Sequence, residues 1–363
     1  FEPASRPTFA GDDGIAATLC AMKDLEERRG DALLPPLYWE TSEQTEAVVV
    51  HREVLLRDDP TFLAIRTAFL NSQAEGGTVK CLAGGRCTID GCCMPRMNPM
   101  GLSAAVVDVL KIERIEHHVA WKMYAGSRQR CRSTFQHDGV ALSTSAHPAG
   151  PVPISTLQIQ AALARSGAPP IPLEDDVNEV LLWHGTDMKV LDGVAEGGID
   201  FRFARDGGMY GKGAYFAEDS CKSAQYVSSS VAGAISKRGS QSLDVPHCML
   251  LCRVTLGAAH PQHQVNDDLA KPPPRPSNTR IAYDSIIAAN ATDRPQRHRE
   301  FLIYQSPGVQ VYPEYIITFK YKVDIAIKKE KILIEIATGE SEAFDALRDA
   351  CDELKEDFDV VLA

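Results

Sequence analysis

The stretch "GGMYGKGAYFAEDSCKSAQYV", Gly207 to Val227, brings four glycines, three tyrosines and a Lys-Ser pair into one strand-to-helix passage. Glycines ahead of a helix are the mark of phosphate cradles, and a large parallel-sheet fold would follow if either familiar pattern held. Neither does. The phosphate-loop pattern G-x-x-x-x-G-K-[ST] meets Asp206 where its first glycine belongs and Gly213 where its hydroxyl belongs. The dinucleotide fingerprint G-x-G-x-x-G fails too, because Gly211-Lys212-Gly213-Ala214-Tyr215-Phe216 lacks a third glycine. Short apolar runs and helical stretches follow one another elsewhere without regular alternation, which predicts an α+β fold and not a doubly wound sheet. A dinucleotide in such a fold would lie in a cleft between sheets.

Residues 13–29 have a helical apolar stripe of Ile15, Leu19, Met22 and Leu25, ended by Gly30. The Pro-rich "LLPPLYWE" follows, then a strand-like "AVVVHREVLL", and Asp59-Pro60 opens a helix with Phe62, Ile65 and Phe69 on one face. Residues 71–100, rich in Gly, Cys, Met and Pro, have no apolar period and read as an insertion. "VVDVLKIERIEHH" is a strand, "AWKMYAGSRQRCR" a helix, 132–153 irregular, and "STLQIQAALARSG" a helix stopped by Gly167. "NEVLLWHGT" and "CMLLCRVTLG" read as apolar strands, 264–298 as a long irregular excursion, and "REFLIY" and "QVYPEYIITFKYKV" as a strand pair. The domain organisation expected is a helical segment over 1–45, a main domain over 46–325 with insertions near 71–100, 132–176 and 264–298, and a hairpin-plus-helix extension over 326–363.

With 44% hydrophobic residues the chain can bury a sizeable core, and its formal net charge of -11 argues against sequence-independent nucleic-acid binding, which needs clustered Lys and Arg. No apolar run approaches the roughly 20 residues of a membrane helix, and no signal segment opens the chain. Ten cysteines scattered through a long chain fit reduced thiols and an intracellular setting, cytoplasmic or nuclear. A chain opening at Phe1 and not at Met reads as a piece of a longer protein.

Three polar residues interrupt apolar strand contexts: His184 in "VLLWHGT", Tyr215 in "GKGAYFA" and Glu300 in "HREFLIYQ". Singly, each has an ordinary structural reading, as a satisfied core histidine, a core filler and a solvated strand position. In this order and with these neighbours, the chain resembles the catalytic domain of the poly(ADP-ribose) polymerase family, the diphtheria-toxin-like ADP-ribosyltransferases, and is closest in motifs to its tankyrase members. "LLWHGT" resembles the family's His-Gly-Ser/Thr strand, "YGKGAYFAEDSCKSAQYV" its Tyr strand and following helix, and "REFLIYQ" with "QVYPEYIITF" its Glu strand and closing hairpin. The likeness covers residues 46–325.

The resemblance implies two packed, mainly antiparallel sheets forming an NAD cleft, and a His-Tyr-Glu triad carried by His184, Tyr215 and Glu300. NAD would be the substrate, with release of nicotinamide, and the acceptors would be proteins, the enzyme itself included. The chemistry agrees: nicotinamide leaves neutral because its ring nitrogen is already cationic, so one carboxylate suffices where most glycosidases use two. Glu300 would stabilise oxocarbenium-like charge and orient the acceptor; His184 would hold a ribose hydroxyl. Gly185 would give its backbone to the carboxamide, a side chain there blocking the approach, and Ser223 would give its hydroxyl; Tyr215 and Tyr226 would sandwich the ring. Thr186 falls on the adenosine side, and 202–210 would form a donor loop whose glycines let the backbone approach NAD. Lys222 has two readings, a group beside the active site or a helix-surface charge.

The tankyrase zinc site is not reproduced. Only His247, Cys248 and Cys252 stand near its place, at the wrong spacing, and the loop cysteines Cys81, Cys87, Cys92 and Cys93 contain no C-x-x-C pair, so no metal is expected. A complete triad permits chain elongation. The first functional reading is therefore an ADP-ribosyltransferase able to form polymer, with a mono-ADP-ribosyltransferase as its alternative and a non-catalytic NAD- or ADP-ribose-binding module as the rival from another class.

Overall fold

A computed structural model describes residues 33–41, 50–70, 105–138, 152–203, 208–227, 246–276, 278–288, 299–305 and 308–323. In chain order the strands are β1 (His51–Val54), β2 (Ala105–Glu116), β3 (Glu179–Thr186), β4 (Ala214–Ala217), β5 (His247–Thr255), β6 (Ala259–Gln262), β7 (Pro274–Arg275), β8 (Asn278–Ala282), β9 (Ser285–Ala288), β10 (Glu300–Ile303) and β11 (Val311–Val323). The α-helices are α1 (Pro60–Leu70), α2 (His118–Asp138), α3 (Ile154–Ser166), α4 (Leu191–Gly197) and α5 (Ser220–Ser223). A nine-stranded sheet runs in the order β1-β2-β11-β5-β3-β4-β10-β9-β6, and β7 pairs with β8 alone. Its ladders are antiparallel except for β6 with β9.

β5 is buried along its whole length, as a mostly apolar strand covered on both faces is, and its buried Arg253 is paired with Glu314 at 2.7 Å. On one face α1 and α3 set Phe62, Ile65, Phe69, Ile159 and Leu163 against Trp183, Leu251 and Phe319. On the other, Leu191 and Ala195 of α4 pack with Leu182, Leu250, Phe216 and Phe301. The predicted start of α1 has its cap: the Asp59 carboxylate accepts from the Thr61 amide at 2.6 Å, with Pro60 at the first helical position. Gly167, at φ 74°, ends α3. Pro313 sits in a central strand because the register of β11 against β5 shifts between Pro313 and Tyr315, a bulge that tolerates a missing N–H.

Four expectations are corrected. The two sheets are halves of one, joined between β3 and β4 by a single pair, Trp183 with Ala217. The stretch 264–298 is not one irregular excursion: β9 lies within it, fully buried between β10 and β6. Helix α2 continues to Asp138, past the end of "AWKMYAGSRQRCR", because Phe135 is buried with Val177 and Ala258. Tyr226 stands on a 3-10 turn, Ala224–Tyr226, that continues α5. The first helix, the 71–100 insertion, the zinc-region loop before β5 and the C-terminal extension lie outside the described residues.

Residues 33–41 pack against the same body as the sheet. Trp39 lies between Trp121, Tyr312 and His118, with ring centroids 5.7, 5.8 and 5.3 Å away. The buried Glu116 carboxylate accepts from the amides of Glu40 at 3.0 Å and Thr41 at 2.8 Å. Beneath the cleft, Glu179 at the start of β3 takes Arg128 at 2.9 Å and the Tyr124 hydroxyl at 2.7 Å, which anchors that strand to α2.

Candidate active site

The site opens where the sheet splits. On one side of the Trp183–Ala217 pair, the edge groups of β3 are satisfied by a helix: the Leu181 amide donates to Thr156 Oγ1 at 2.9 Å, and Ser155 Oγ donates to the Leu181 carbonyl at 2.5 Å. On the other side, His184 Nδ1 donates to the Tyr215 carbonyl at 2.8 Å, so a side chain holds the strands together after the ladder has ended. A strand's hydrogen-bonding groups alternate in direction, and Leu181 presents its own to the β4 edge; Gly185, four positions on, presents its N–H and C=O to the same opened edge.

The carbonyl partner fixes the His184 tautomer, with the proton on Nδ1 and Nε2 an acceptor. Burial lowers the affinity of this imidazole for a second proton, and the Tyr215 carbonyl only partly opposes that. Gly185 is required by protein packing. A Cβ there would stand 2.0 Å from the Ser223 carbonyl oxygen and 3.2 Å from Tyr226 Cβ. A side chain at this position would meet the α5 turn itself. Ser223 is buried and donates its hydroxyl to the Trp183 carbonyl at 2.9 Å, which leaves its oxygen lone pairs as acceptors. Thr186 is buried at the end of β3, its carbonyl facing Cys248 Sγ.

Tyr215 is held from behind by its own loop. Its hydroxyl donates to the Gly211 carbonyl at 2.9 Å and accepts from the Tyr210 amide at 3.0 Å; burial drives the phenol well above its ordinary range, so it stays protonated. That loop is clamped in turn. The Lys212 amide donates to the Leu269 carbonyl at 2.8 Å, the Asn266 amide to the Met209 carbonyl at 2.9 Å, and the Tyr304 hydroxyl to the Tyr210 carbonyl at 2.8 Å. Gly211 has φ 95° and a Cβ would meet the Leu269 carbonyl oxygen at 2.1 Å, while one at Gly208 would meet the Tyr215 hydroxyl at 2.5 Å. These glycines are thus required by the surrounding chain. Gly207 and the middle of the expected donor loop lie outside the described residues.

Glu300 begins β10, opposite Ala217 on β4 and Ala288 on β9, and is 4% exposed. Lys222 Nζ of α5 lies 3.4 Å from its Oε1 and 3.4 Å from the Tyr226 hydroxyl, with the ammonium 5.5 Å from the Tyr226 ring centroid. Burial weakens the Lys222 charge, but the Glu300 carboxylate and Tyr226 outweigh it and hold the ammonium above the ordinary lysine range. The Lys222 ammonium is thus turned toward Glu300 and Tyr226, with its side chain 16% exposed. Tyr226 is 49% exposed.

The family model described as the poly(ADP-ribose) polymerase catalytic domain matches residues 97–321. The chain belongs to this family. Among its relatives, human protein mono-ADP-ribosyltransferase PARP3 is 36% identical over 118 residues, 32% of this chain and 19% of the relative. Human protein mono-ADP-ribosyltransferase PARP12 is 32% identical over 144 residues, 39% of this chain and 17% of the relative. The mouse protein mono-ADP-ribosyltransferase PARP11 is 28% identical over 153 residues, 39% of this chain and 43% of that protein. The chain therefore spans less than half the length of each.

The matched region is the one that the family description calls the catalytic domain. Among the described residues no group of three or more His, Cys, Asp or Glu is arranged to hold a metal ion, and no helix is long and apolar enough to cross a membrane. Cys81, Cys87, Cys92 and Cys93 fall outside those residues. The structure adds residues that sequence reasoning passed over. Ser155 and Thr156 satisfy the β3 edge, the clamp on the glycine loop comes from Leu269, and Arg299 grips Glu218. Only the last carried a signal, an Arg directly before the strand glutamate.

Proposed function

We propose that this chain is an NAD-dependent protein mono-ADP-ribosyltransferase that uses His184, Tyr215 and Glu300 as its central site. The observation that carries the proposal is a buried carboxylate, Glu300, paired with Lys222 at 3.4 Å and set where β3 and β4 diverge. NAD supplies the ADP-ribosyl group and a leaving group that departs neutral. His184 Nε2 accepts from a ribose hydroxyl, and Thr186 at the end of β3 faces the adenosine side. Gly185 offers its main chain to the carboxamide, Ser223 accepts from the carboxamide N–H₂, and Tyr215 and Tyr226 flank the ring. Glu300 stabilises positive charge developing on the ribose and takes a hydrogen bond from the incoming nucleophile.

The single-unit product is preferred to chain elongation because the relatives above carry mono-ADP-ribosyltransferase names. Glu300 alone is compatible with either outcome, since it can accept from a protein nucleophile or from the hydroxyl of a chain end. The acceptors are intracellular proteins, the enzyme itself included. Incubation with isotope-labelled NAD tests the proposal: nicotinamide is released and label becomes covalent on protein. Binding of NAD without release would instead make the chain a non-catalytic module.

A further inference from the structure

We infer that the first turn of α3 is a wedge that sets the splay of the two sheet halves and so positions Glu300 across the cleft from His184. A continued antiparallel ladder from Trp183 and Ala217 would pair Leu181 with residue 219. Instead the hydroxyls of Ser155 and Thr156, both buried, take the Leu181 carbonyl and amide. At this level the spacing between the halves is set by a helix turn and not by the ~4.8 Å of a ladder.

The same turn reaches the other half. The Ile154 amide donates to Glu218 Oε2 at 3.1 Å, and Glu218 receives a two-pronged bond from Arg299, Nε to Oε1 at 3.1 Å and Nη2 to Oε2 at 2.5 Å. Glu218 follows the last residue of β4 and Arg299 precedes the first of β10, so the fork extends the Ala217–Glu300 pair by one residue on each chain. Strand ends are where ladders open first, and a bidentate pair fixes geometry as well as charge. The Arg299 guanidinium also lies 5.3 Å from the Phe301 ring, which holds it over β10. A continuous set of bonds therefore runs from Leu181 on β3 through Ile154, Ser155 and Thr156 to Glu218 and Arg299. Ser155, Thr156, Glu218 and Arg299 are positioning residues; none is required to touch the substrate.

The consequence for catalysis rests on Glu300 being the catalytic carboxylate, so the test reads the wedge separately from turnover. Arg299→Gln removes the fork. Amide exchange in β10 should accelerate about tenfold or more while β5 stays protected. The kcat for nicotinamide release should fall about tenfold, with the KM for NAD and the affinity for benzamide changed less than about twofold, because the aromatic-amide pocket lies on the β3 and α5 side. Arg299→Lys, which keeps charge without the fork, should fall between wild type and Arg299→Gln. Thr156→Val, altering only the β3 contact of the wedge, should speed exchange of the same β10 amides. Unchanged β10 exchange in Arg299→Gln overturns the wedge whether or not the protein turns over NAD. Faster exchange with unchanged kcat overturns its link to Glu300. Wild-type protein that releases no nicotinamide overturns the functional proposal alone.

Discussion

Gly185→Ala is the substitution whose consequences the structure defines most closely. The new methyl carbon would stand 2.0 Å from the Ser223 carbonyl oxygen, 3.0 Å from its carbon and 3.2 Å from Tyr226 Cβ. None of these atoms can rotate aside, so the α5 turn must retreat by about 1.4 Å to restore ordinary contact, at a cost of about 1–3 kcal/mol. For a domain of this size that lowers Tm by roughly 2–4 °C per kcal/mol. The functional loss should be larger than the loss of stability. The turn carries Ser223, bonded to the Trp183 carbonyl at 2.9 Å, and Lys222, 3.4 Å from Glu300. A displacement of about 1 Å at such a site costs on the order of 10²-fold in rate. Nicotinamide release, benzamide binding and thermal unfolding together check this. Expected are a Tm lowered by a few degrees, benzamide affinity down more than about tenfold and kcat/KM down about 10²-fold. Wild-type benzamide affinity and turnover in this variant would refute the packing argument, whatever the Tm.

Tyr215→Phe keeps the ring but strands the Tyr210 amide, so it should cost about 1–3 kcal/mol in denaturant unfolding and raise the KM for NAD; unchanged stability would show that the loop is held without that hydroxyl. Trp39→Ala empties the aromatic box between Trp121 and Tyr312 and should cost about 3–5 kcal/mol, read by denaturant unfolding, with benzamide affinity unaltered in the folded protein. Burial holds His184 below the ordinary imidazole value of 6.5, so its stabilising neutral form is fully present above that pH and is lost as pH falls through the lowered value. The KM for NAD should accordingly stay flat down to pH 6.5 and rise only below it, and a rise that begins above pH 6.5 would contradict the tautomer assigned to Nε2.

The strand and helix types were legible wherever one periodicity ruled: α1 with its Asp59-Pro60 start, α3 with Gly167 at its end, and β5 as a mostly apolar run. The elements missed are those defined by distant partners. β9 has only four residues and is a strand because β10 and β6 lie on either side of it. The last turn of α2 is helical because Phe135 finds Val177 and Ala258. In the site, motifs pointed to candidate residues, but the groups that support them could not be read from the sequence. That Gly185 and Gly211 also answer to protein packing shows only once the Ser223 and Leu269 carbonyls are seen beside them. Thr156 and Glu218 look like ordinary polar residues until Leu181 and Arg299 meet them.

The most direct test of the account is the size and amount of product formed by wild-type protein and by Glu300→Gln at saturating NAD, read by mass spectrometry of the modified protein. The account predicts single ADP-ribose units from the wild type at every time point. It predicts transfer reduced by about 10²-fold or more in Glu300→Gln, with benzamide affinity unchanged. A ladder of polymer from the wild type would contradict the single-unit assignment, and near-wild-type transfer by Glu300→Gln would contradict the role given to the buried carboxylate.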